Sequence, residues 1–317
     1  MKRLRAGHFL ASTVIAIIVT SVVPGPVAPA QPLTTRAATA RPATTGPAFP
    51  VRIKSGDGTV TIASRPKRIL CLSASATQML YALGAGPQVV GVDVYSTWPA
   101  SAPRTKFTGA ETSAEDYLPL RPDLVIVAFR SGSVVQQLQK LGVPTLLLPP
   151  ATTFANVDSQ LAELGAATGH QAAVGPVEVT VEADIAAALH KAGGAGHGQT
   201  YYVEVDPTYY TATSKTFIGA EFSLFGMRDI ADPAGRITAY PQISAEFLLK
   251  TNPDYVFLAD TVCCHQTPTS FAHRPGFSAL QAARLHHVIG VNDSVASQWG
   301  PHTIETFVAL LARTLRP

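Results

Sequence analysis

Two adjacent thiols, Cys263 and Cys264, and two glutamates in equivalent settings, Glu115 and Glu246, are the residues whose type and spacing best suit chemistry. In an oxidising compartment the thiols can close a vicinal disulfide, although ordinary disulfide geometry resists joining sequence neighbours. The other readings are two free thiols, an intermolecular bond or a metal role. Cys71, the third cysteine, lies inside an apolar run and reads as a small buried hydrophobe. The glutamates belong to a repeat: SAEDYLPLRPDLV (113–125) returns as SAEFLLKTNPDYV (244–256), with seven of thirteen positions identical. In each copy a serine followed by acids can cap a helix start, where a carboxylate complements the positive helix end. Capping would accept several acids at several positions, yet both copies place Glu at the same one.

Catalytic signatures do not accompany these residues. The chain has no G-x-S-x-G elbow, no H-E-x-x-H and no glycine-rich phosphate loop, and His302 has no nucleophile paired with it by sequence. A secreted hydrolase and a non-transport binding or scaffold protein therefore stand as alternatives to the main reading, which is not an enzyme. A free metal ion would need histidines or carboxylates converging from several elements, and none of the nine histidines falls between residues 65 and 169. No resident metal or cofactor is expected. The net charge of +3, with scattered cations, excludes the electrostatic footprint of a nucleic-acid binder.

The elements that must position such residues are legible as alternating patterns. Short apolar runs, RILCL (68–72), VVGV (89–92), LVIVA (124–128) and TLLL (145–148), alternate with helix-like stretches such as SATQMLYALGA, which end in glycine. That order implies a parallel sheet covered on both faces. The pattern restarts at YYVEV (201–205), YVFLA (255–259) and HVIGV (287–291), with helical segments expected near 218–227, 244–250, 277–284 and 303–314. Between the halves, Val174, Val177, Val181, Ile185, Ala188 and Ala192 form one apolar stripe. A helix over 171–191 would span about 31 Å. The fold class is α/β, two Rossmann-like lobes with parallel sheets joined by one long backbone helix: an N-terminal lobe over 51–169, the helix within 170–194 and a C-terminal lobe over 195–317. One helical linker suggests lobes that rock little.

Ligands of two-lobed α/β proteins sit beyond the C-terminal strand ends, between the lobes. The loops there supply Ser73, Ser75, Tyr95, Trp98, Phe129 and Arg130 from the first lobe. The second supplies Asp206, Tyr209, Tyr240, Thr261 and Trp299. Both tryptophans of the chain fall in this set. Aromatic faces with few charges suit a bulky, mostly neutral ligand with a hydrogen-bonding rim, whereas strongly anionic chelates call for several cations.

The first fifty residues read as an export segment. MKRLR is a basic start, FLASTVIAIIVTSVV (9–23) an apolar stretch, and Ala28-Pro29-Ala30 a cleavage site, giving a signal peptide over 1–30 of the Sec type. An uncleaved N-terminal anchor is the alternative, since the apolar run can just span a bilayer. The Thr/Ala/Pro-rich stretch 31–50 reads as a disordered spacer. No cysteine precedes Cys71, so no lipobox cysteine is offered. The location expected is extracytoplasmic, secreted or periplasmic.

Taken in order, RPKRILCLSASATQMLYALGAGPQVVGV, VYSTWPA, SAEDYLPLRPDLVIVA, YPQISAEFLLKTNPDYVFLA and PGFSALQAARLHHVIGVND resemble the helical-backbone (class III) substrate-binding proteins of ABC importers, the group that captures ferric siderophores, cobalamin and haem. The resemblance covers nearly all of residues 65–317. It implies capture of a metal chelate, a ferric siderophore or a cobalamin-like corrinoid, between the lobes and its delivery to the permease. It also implies that Glu115 and Glu246 meet arginines on the two subunits of an ABC permease dimer. TAYPQISAEFLL resembles the cobalamin-binding branch, although related segments occur in siderophore binders.

Overall fold

A computed structural model describes residues 49–109, 113–130 and 133–315. The expected signal peptide, nearly all of the expected spacer, and Ala110 in the loop before the first copy of the repeat lie outside them. No helix among the described residues is long and apolar enough to cross a membrane.

The chain enters through an antiparallel hairpin, β1 (Val51–Ser55) and β2 (Gly58–Ile62), paired from Val51↔Ile62 to Ser55↔Gly58. Gly56 and Asp57 make the turn, and Gly58, which opens β2, takes a φ of 115° that a side chain would resist. The first lobe follows: β3 (Ile69–Leu72), α1 (Ala74–Ala82), β4 (Val89–Val92), α2 (Ala114–Tyr117), β5 (Leu124–Val127), α3 (Val134–Lys140), β6 (Thr145–Leu147) and α4 (Phe154–Thr168). Its four strands form a parallel sheet in the order β4-β3-β5-β6. β3 and β5 are buried at every residue, as central strands covered on both faces must be.

The long helix α5 runs from Val174 to Ala192, after a 3₁₀ turn over Gln171–Ala173. It thus starts with the apolar stripe at Val174, three residues later than the helix expected over 171–191, and spans about 28 Å. Pro176 is accommodated in its first turn, where backbone N–H groups lack helical partners anyway. Gly193, at a φ of 58°, ends it. The second lobe holds β7 (Thr200–Glu204), α6 (Phe217–Leu224), β8 (Arg228–Asp229), α7 (Ala245–Thr251), β9 (Tyr255–Leu258), α8 (Pro268–Ala272), α9 (Gln281–Arg284), β10 (Val288–Gly290), α10 (Asp293–Ser297) and α11 (Pro301–Thr314). Its sheet is parallel, in the order β10-β9-β7-β8.

The inner faces of both sheets contribute to a single hydrophobic cluster. Ile69, Ile126 and Leu146 join Tyr201, Phe257, Phe222 and Phe307 through α1, α4, α5 and α11. Smaller clusters cover the outer face of each sheet, around Tyr117 and Leu138 in the first lobe and around Phe271 and Phe277 in the second.

The repeat has a structural content of its own. Arg121 and Asn252, 131 residues apart, both adopt a left-handed conformation, with φ of 45° and 47°. The following Pro-Asp pairs then do the same work. The Asp123 carboxylate accepts the backbone N–H groups of Lys67 and Arg68 at 2.8 and 2.9 Å, tying β5 to the entry of β3. The Asp254 carboxylate accepts the Thr200 N–H and hydroxyl at 2.7 and 2.8 Å, tying β9 to the entry of β7. At the helix starts, Asp116 accepts the Ser113 N–H, and the Ser244 hydroxyl accepts the Phe247 N–H. Glu115 and Glu246 take no part in the ties between strands and stand exposed.

Candidate functional site

The strand ends of the two sheets open onto a cavity of about 580 Å³, within the range of small-molecule sites. The first lobe lines it with Leu72, Ser73, Ala74 and Ser75 where β3 passes into α1, Asp93 and Tyr95 after β4, Thr108 and Gly109, and Val127 to Phe129 after β5. The second lobe supplies Val262 and Cys263 after β9, and Asp293, Ser294, Ser297, Gln298 and Trp299 from α10 and the turn beyond it. Tyr95 and Phe129 remain largely exposed, at 59% and 64%, and offer aromatic faces to a ligand, whereas Trp299 is 8% exposed at the floor.

The floor is also where the lobes are fastened. The Trp299 backbone N–H donates to Ser75 Oγ at 3.0 Å, and its indole Nε1–H donates to Gln160 Oε1 at 2.9 Å. Beside it Gln78, buried on α1, donates through Nε2 to Gln298 Oε1 and Thr303 Oγ1, both at 2.7 Å, and accepts the Thr303 N–H at 3.0 Å. Both partners of each bond are well placed, so the polar groups at this junction are satisfied without water.

Charge in the cavity is sparse and negative. Among the described lining residues the acidic side chains are Asp93 and Asp293, and no Lys, Arg or His is present. Burial raises the Asp93 carboxyl above its usual range, although the hydroxyl and N–H of Ser96 oppose this. For Asp293 burial acts upward too, but the N–H groups of Val262 and Cys263, at 2.9 and 2.7 Å, prevail and hold it below the usual range. Desolvation, the Cys264 thiol and the Asp293 carboxylate push the Cys263 thiol up to about 12, so it is neutral at physiological pH.

Of the residues nominated by position after a strand, Ser73, Ser75, Tyr95, Phe129 and Trp299 line the cavity, and the others do not. Trp98 stacks on His302, ring centroids 4.6 Å apart, in a separate outer groove with Val177 and Val181 of α5. Arg130 is turned away into an ion pair with Asp57 of the β1–β2 hairpin. Asp206 closes its own turn by accepting the Thr208 N–H at 2.7 Å. Tyr209 is half-buried against Phe277, and Arg274 lies 5.6 Å over its ring. Tyr240 is exposed outside the cavity lining. Thr261 spends its hydroxyl on the Val291 carbonyl at 2.9 Å. The structure adds Asp93, Val262 and Asp293; Asp293 heads α10 just after the Asn292 N-cap, a signal present in the sequence as VND.

Beneath the wall formed by Val262 and Cys263 lies a buried ionic cluster. Arg274 donates to both oxygens of Glu204 at 2.6 Å and to Gln266 Oε1 at 2.8 Å, while Gln266 Nε2 donates to the Cys264 carbonyl at 3.3 Å. Asp260, fully buried beside Glu204, has its carboxyl pushed up to about 7, first by burial and then by the Glu204 charge. In the unfolded chain an aspartate titrates near 3.9, so the folded state binds the proton more tightly. The resulting stabilisation is complete below about pH 4 and is lost as pH rises through about 7. Asp260→Asn should therefore flatten the decline in stability between pH 5 and 8 and gain on the wild type as pH rises, measured by urea denaturation. Asp229, also raised to about 7 by burial, leaves a residual slope of the same sign. Parallel pH profiles for the two proteins would refute the assignment to Asp260.

The comparisons with known proteins agree with this architecture. The uncharacterized ABC transporter substrate-binding lipoprotein YvrC of Bacillus subtilis is 28% identical over 279 residues, 85% of this chain and 86% of its own. A cobalamin-binding protein of Halobacterium salinarum is 27% identical over 314 residues, 94% of this chain and 82% of its own. Among solved structures, the periplasmic heme-binding protein RhuT from Roseiflexus sp. RS-1 superposes with a TM-score of 0.68 at 24% identity, covering 78% of this chain and 97% of that one, a likeness of fold. The family model described as periplasmic binding protein matches residues 69–295. That match runs from β3 into α10 and takes in both walls of the cavity: the chain belongs to the periplasmic binding protein family, in the form built on one long helix.

Proposed function

We propose that this protein is the extracytoplasmic substrate-binding component of an ABC importer and that its ligand is a cobalamin-like corrinoid. One observation carries the choice of ligand: the cavity is walled by apolar and aromatic side chains, and its described lining holds two carboxylates and no cation. A ligand bearing several carboxylates or catecholates would meet repulsion there without a guanidinium to receive it. A bulky ligand whose periphery is amide and hydrocarbon suits the serine hydroxyls, Gln298 and the faces of Tyr95, Phe129 and Trp299. The cobalamin-binding relative, alike over most of both chains, supports the same choice. The role is capture and delivery rather than catalysis, and the chelated metal travels as cargo.

Trp299 provides the readout. Titration with cyanocobalamin should quench tryptophan emission saturably at one ligand per chain, with a Kd at or below about 1 μM, and Trp299→Phe should remove most of the quenching while leaving that of Trp98. Haemin, a ferric catecholate and a ferric hydroxamate complete the panel. Tight binding of haemin or a ferric chelate with none of cyanocobalamin would overturn the corrinoid reading.

Delivery is assigned to Glu115 and Glu246. Their equivalent positions on α2 and α7, exposed and outside the strand-to-strand ties of the repeat, suit a partner with two similar cationic faces. The Glu246 carboxyl is held below its usual range by its own backbone N–H and the Ser244 hydroxyl, which keeps it charged. In cells that take up labelled cyanocobalamin through this protein, Glu115→Ala with Glu246→Ala should lower uptake at least about tenfold, a loss of roughly 1.4 kcal/mol or more in coupling, while the fluorescence titration stays unchanged. Undiminished uptake would refute the docking role.

A further inference from the structure

We propose that Cys263 and Cys264 form a reversible dithiol–disulfide couple set into the wall of the ligand cavity, and that its state governs how tightly the cavity holds its ligand. The second half rests on the cavity being the ligand site argued above; the first half does not.

The two sulfurs lie 2.6 Å apart, and the Cys263 side chain lines the cavity while Cys264 sits half-buried behind it. No other thiol competes. The only other cysteine of the chain, Cys71, is buried in β3 with its Sγ on the Ser73 carbonyl. The backbone that carries the pair is pinned at both residues: Asp293 accepts the Cys263 N–H at 2.7 Å, and the Asp260 carbonyl accepts the Cys264 N–H at 3.2 Å. Neighbouring residues have Cα atoms about 3.8 Å apart across a trans peptide, well inside the span of about 4.4–6.8 Å at which disulfides are relaxed. A bond closed between them is therefore strained, and strained, exposed disulfides are the oxidising and readily reduced ones rather than the permanent structural ones.

Closure changes what the ligand meets. The dithiol presents an S–H group and the one soft metal donor among the described lining residues, whereas the disulfide, closed between sulfurs that already lie side by side, offers neither. The oxidant required is a small organic disulfide. The Cys264 thiolate attacks it, forming a mixed disulfide and expelling one thiolate; Cys263, giving up its proton to the expelled thiolate as it attacks, then displaces the other from the Cys264 sulfur and closes the vicinal bond. Two electrons pass to the organic disulfide, and the two protons of the cysteines end on the two thiols released.

The test equilibrates the protein without oxygen across ratios of reduced to oxidised glutathione, quenches with acid, and alkylates in denaturant before mass measurement. Cys71 labels in every sample and serves as the internal reference. One label per chain under oxidising conditions and three under reducing conditions, with a reversible transition, is the expected result. Three labels throughout, or glutathione retained on either cysteine, would overturn the couple. Cyanocobalamin titrations of the two forms should then differ at least about threefold in Kd, and Cys263→Ser with Cys264→Ser should bind with one affinity in both buffers. Equal affinities would overturn the control of binding. If cyanocobalamin binds neither form, the corrinoid reading fails while the labelling result stands, and the comparison of forms is read with whichever chelate of the panel binds.

Discussion

Replacing Arg274 by alanine is expected to cost about 3–5 kcal/mol of folding stability, the usual cost of stripping one partner from a buried ion pair. Arg274 is the cation that neutralises Glu204, which is fully buried at the end of β7, and Asp260 lies beside that carboxylate with no cation of its own in hydrogen-bonding reach. After the substitution Glu204 would keep only the Tyr202 hydroxyl at 3.5 Å, too long to offset the desolvation of a charge. The protein would respond by protonating one or both acids, so the loss should be smaller at pH 5 than at pH 8. Glu204→Gln in the Arg274→Ala background should recover part of the loss at pH 8. Urea denaturation of the variants at both pH values measures all of this, and a loss below about 1 kcal/mol at pH 8 would be that of a surface pair and would contradict the burial argument. Arg274 also holds Gln266, which supports the Cys264 carbonyl, so the cavity wall should loosen and ligand affinity should fall as well.

Gly300→Ala should be nearly as damaging for a different reason. A Cβ built on Gly300 would lie 2.6 Å from the Cβ of Gln78, an atom fixed to the backbone of α1, so no change of rotamer makes room. Either α1 and α11 separate or Gln78 gives up its bonds to Gln298 and Thr303. Overpacking of this kind costs about 1–3 kcal/mol, and the strain falls on the seam between the lobes at the cavity floor. Stability should drop by about 2–3 kcal/mol, and the ligand should bind more weakly even though residue 300 lies outside the cavity lining. Unchanged affinity together with unchanged stability would show that the seam yields freely.

The architecture was legible because its strands are buried on both faces and therefore appear as continuous apolar runs: Ile69–Leu72, Leu124–Val127 and Tyr255–Leu258 need no partner to be recognised. The β1–β2 hairpin does not follow that rule. Its strands are half-exposed and alternate in burial, and its real signal is the turn Gly56-Asp57 between two alternating segments. The two-residue β8 carries no apolar run at all.

The site shows the same division. In the first lobe the residues that directly follow β3, β4 and β5 stay at the cavity, which is why Ser73, Ser75, Tyr95 and Phe129 could be named from position. In the second lobe the chain folds back after β7, with the Val205 N–H bonded to the Tyr210 carbonyl and Tyr209 at a φ of 70°, and this takes Asp206 and Tyr209 out of the lining. No one-dimensional pattern reports such a reversal. Arg130 was misplaced for a related reason: its partner Asp57 comes from the hairpin that the apolar pattern does not register.

The shared hydrophobic cluster has a consequence for how this chain can be taken apart. Because Ile126 and Phe257, from different sheets, belong to the same packed interior, each half severed near Gly193 would carry a raw apolar face with nothing against it. Neither half is an autonomous folding unit; heating should melt the intact molecule in a single calorimetric transition, and a clipped chain should persist only while its two fragments stay clasped together.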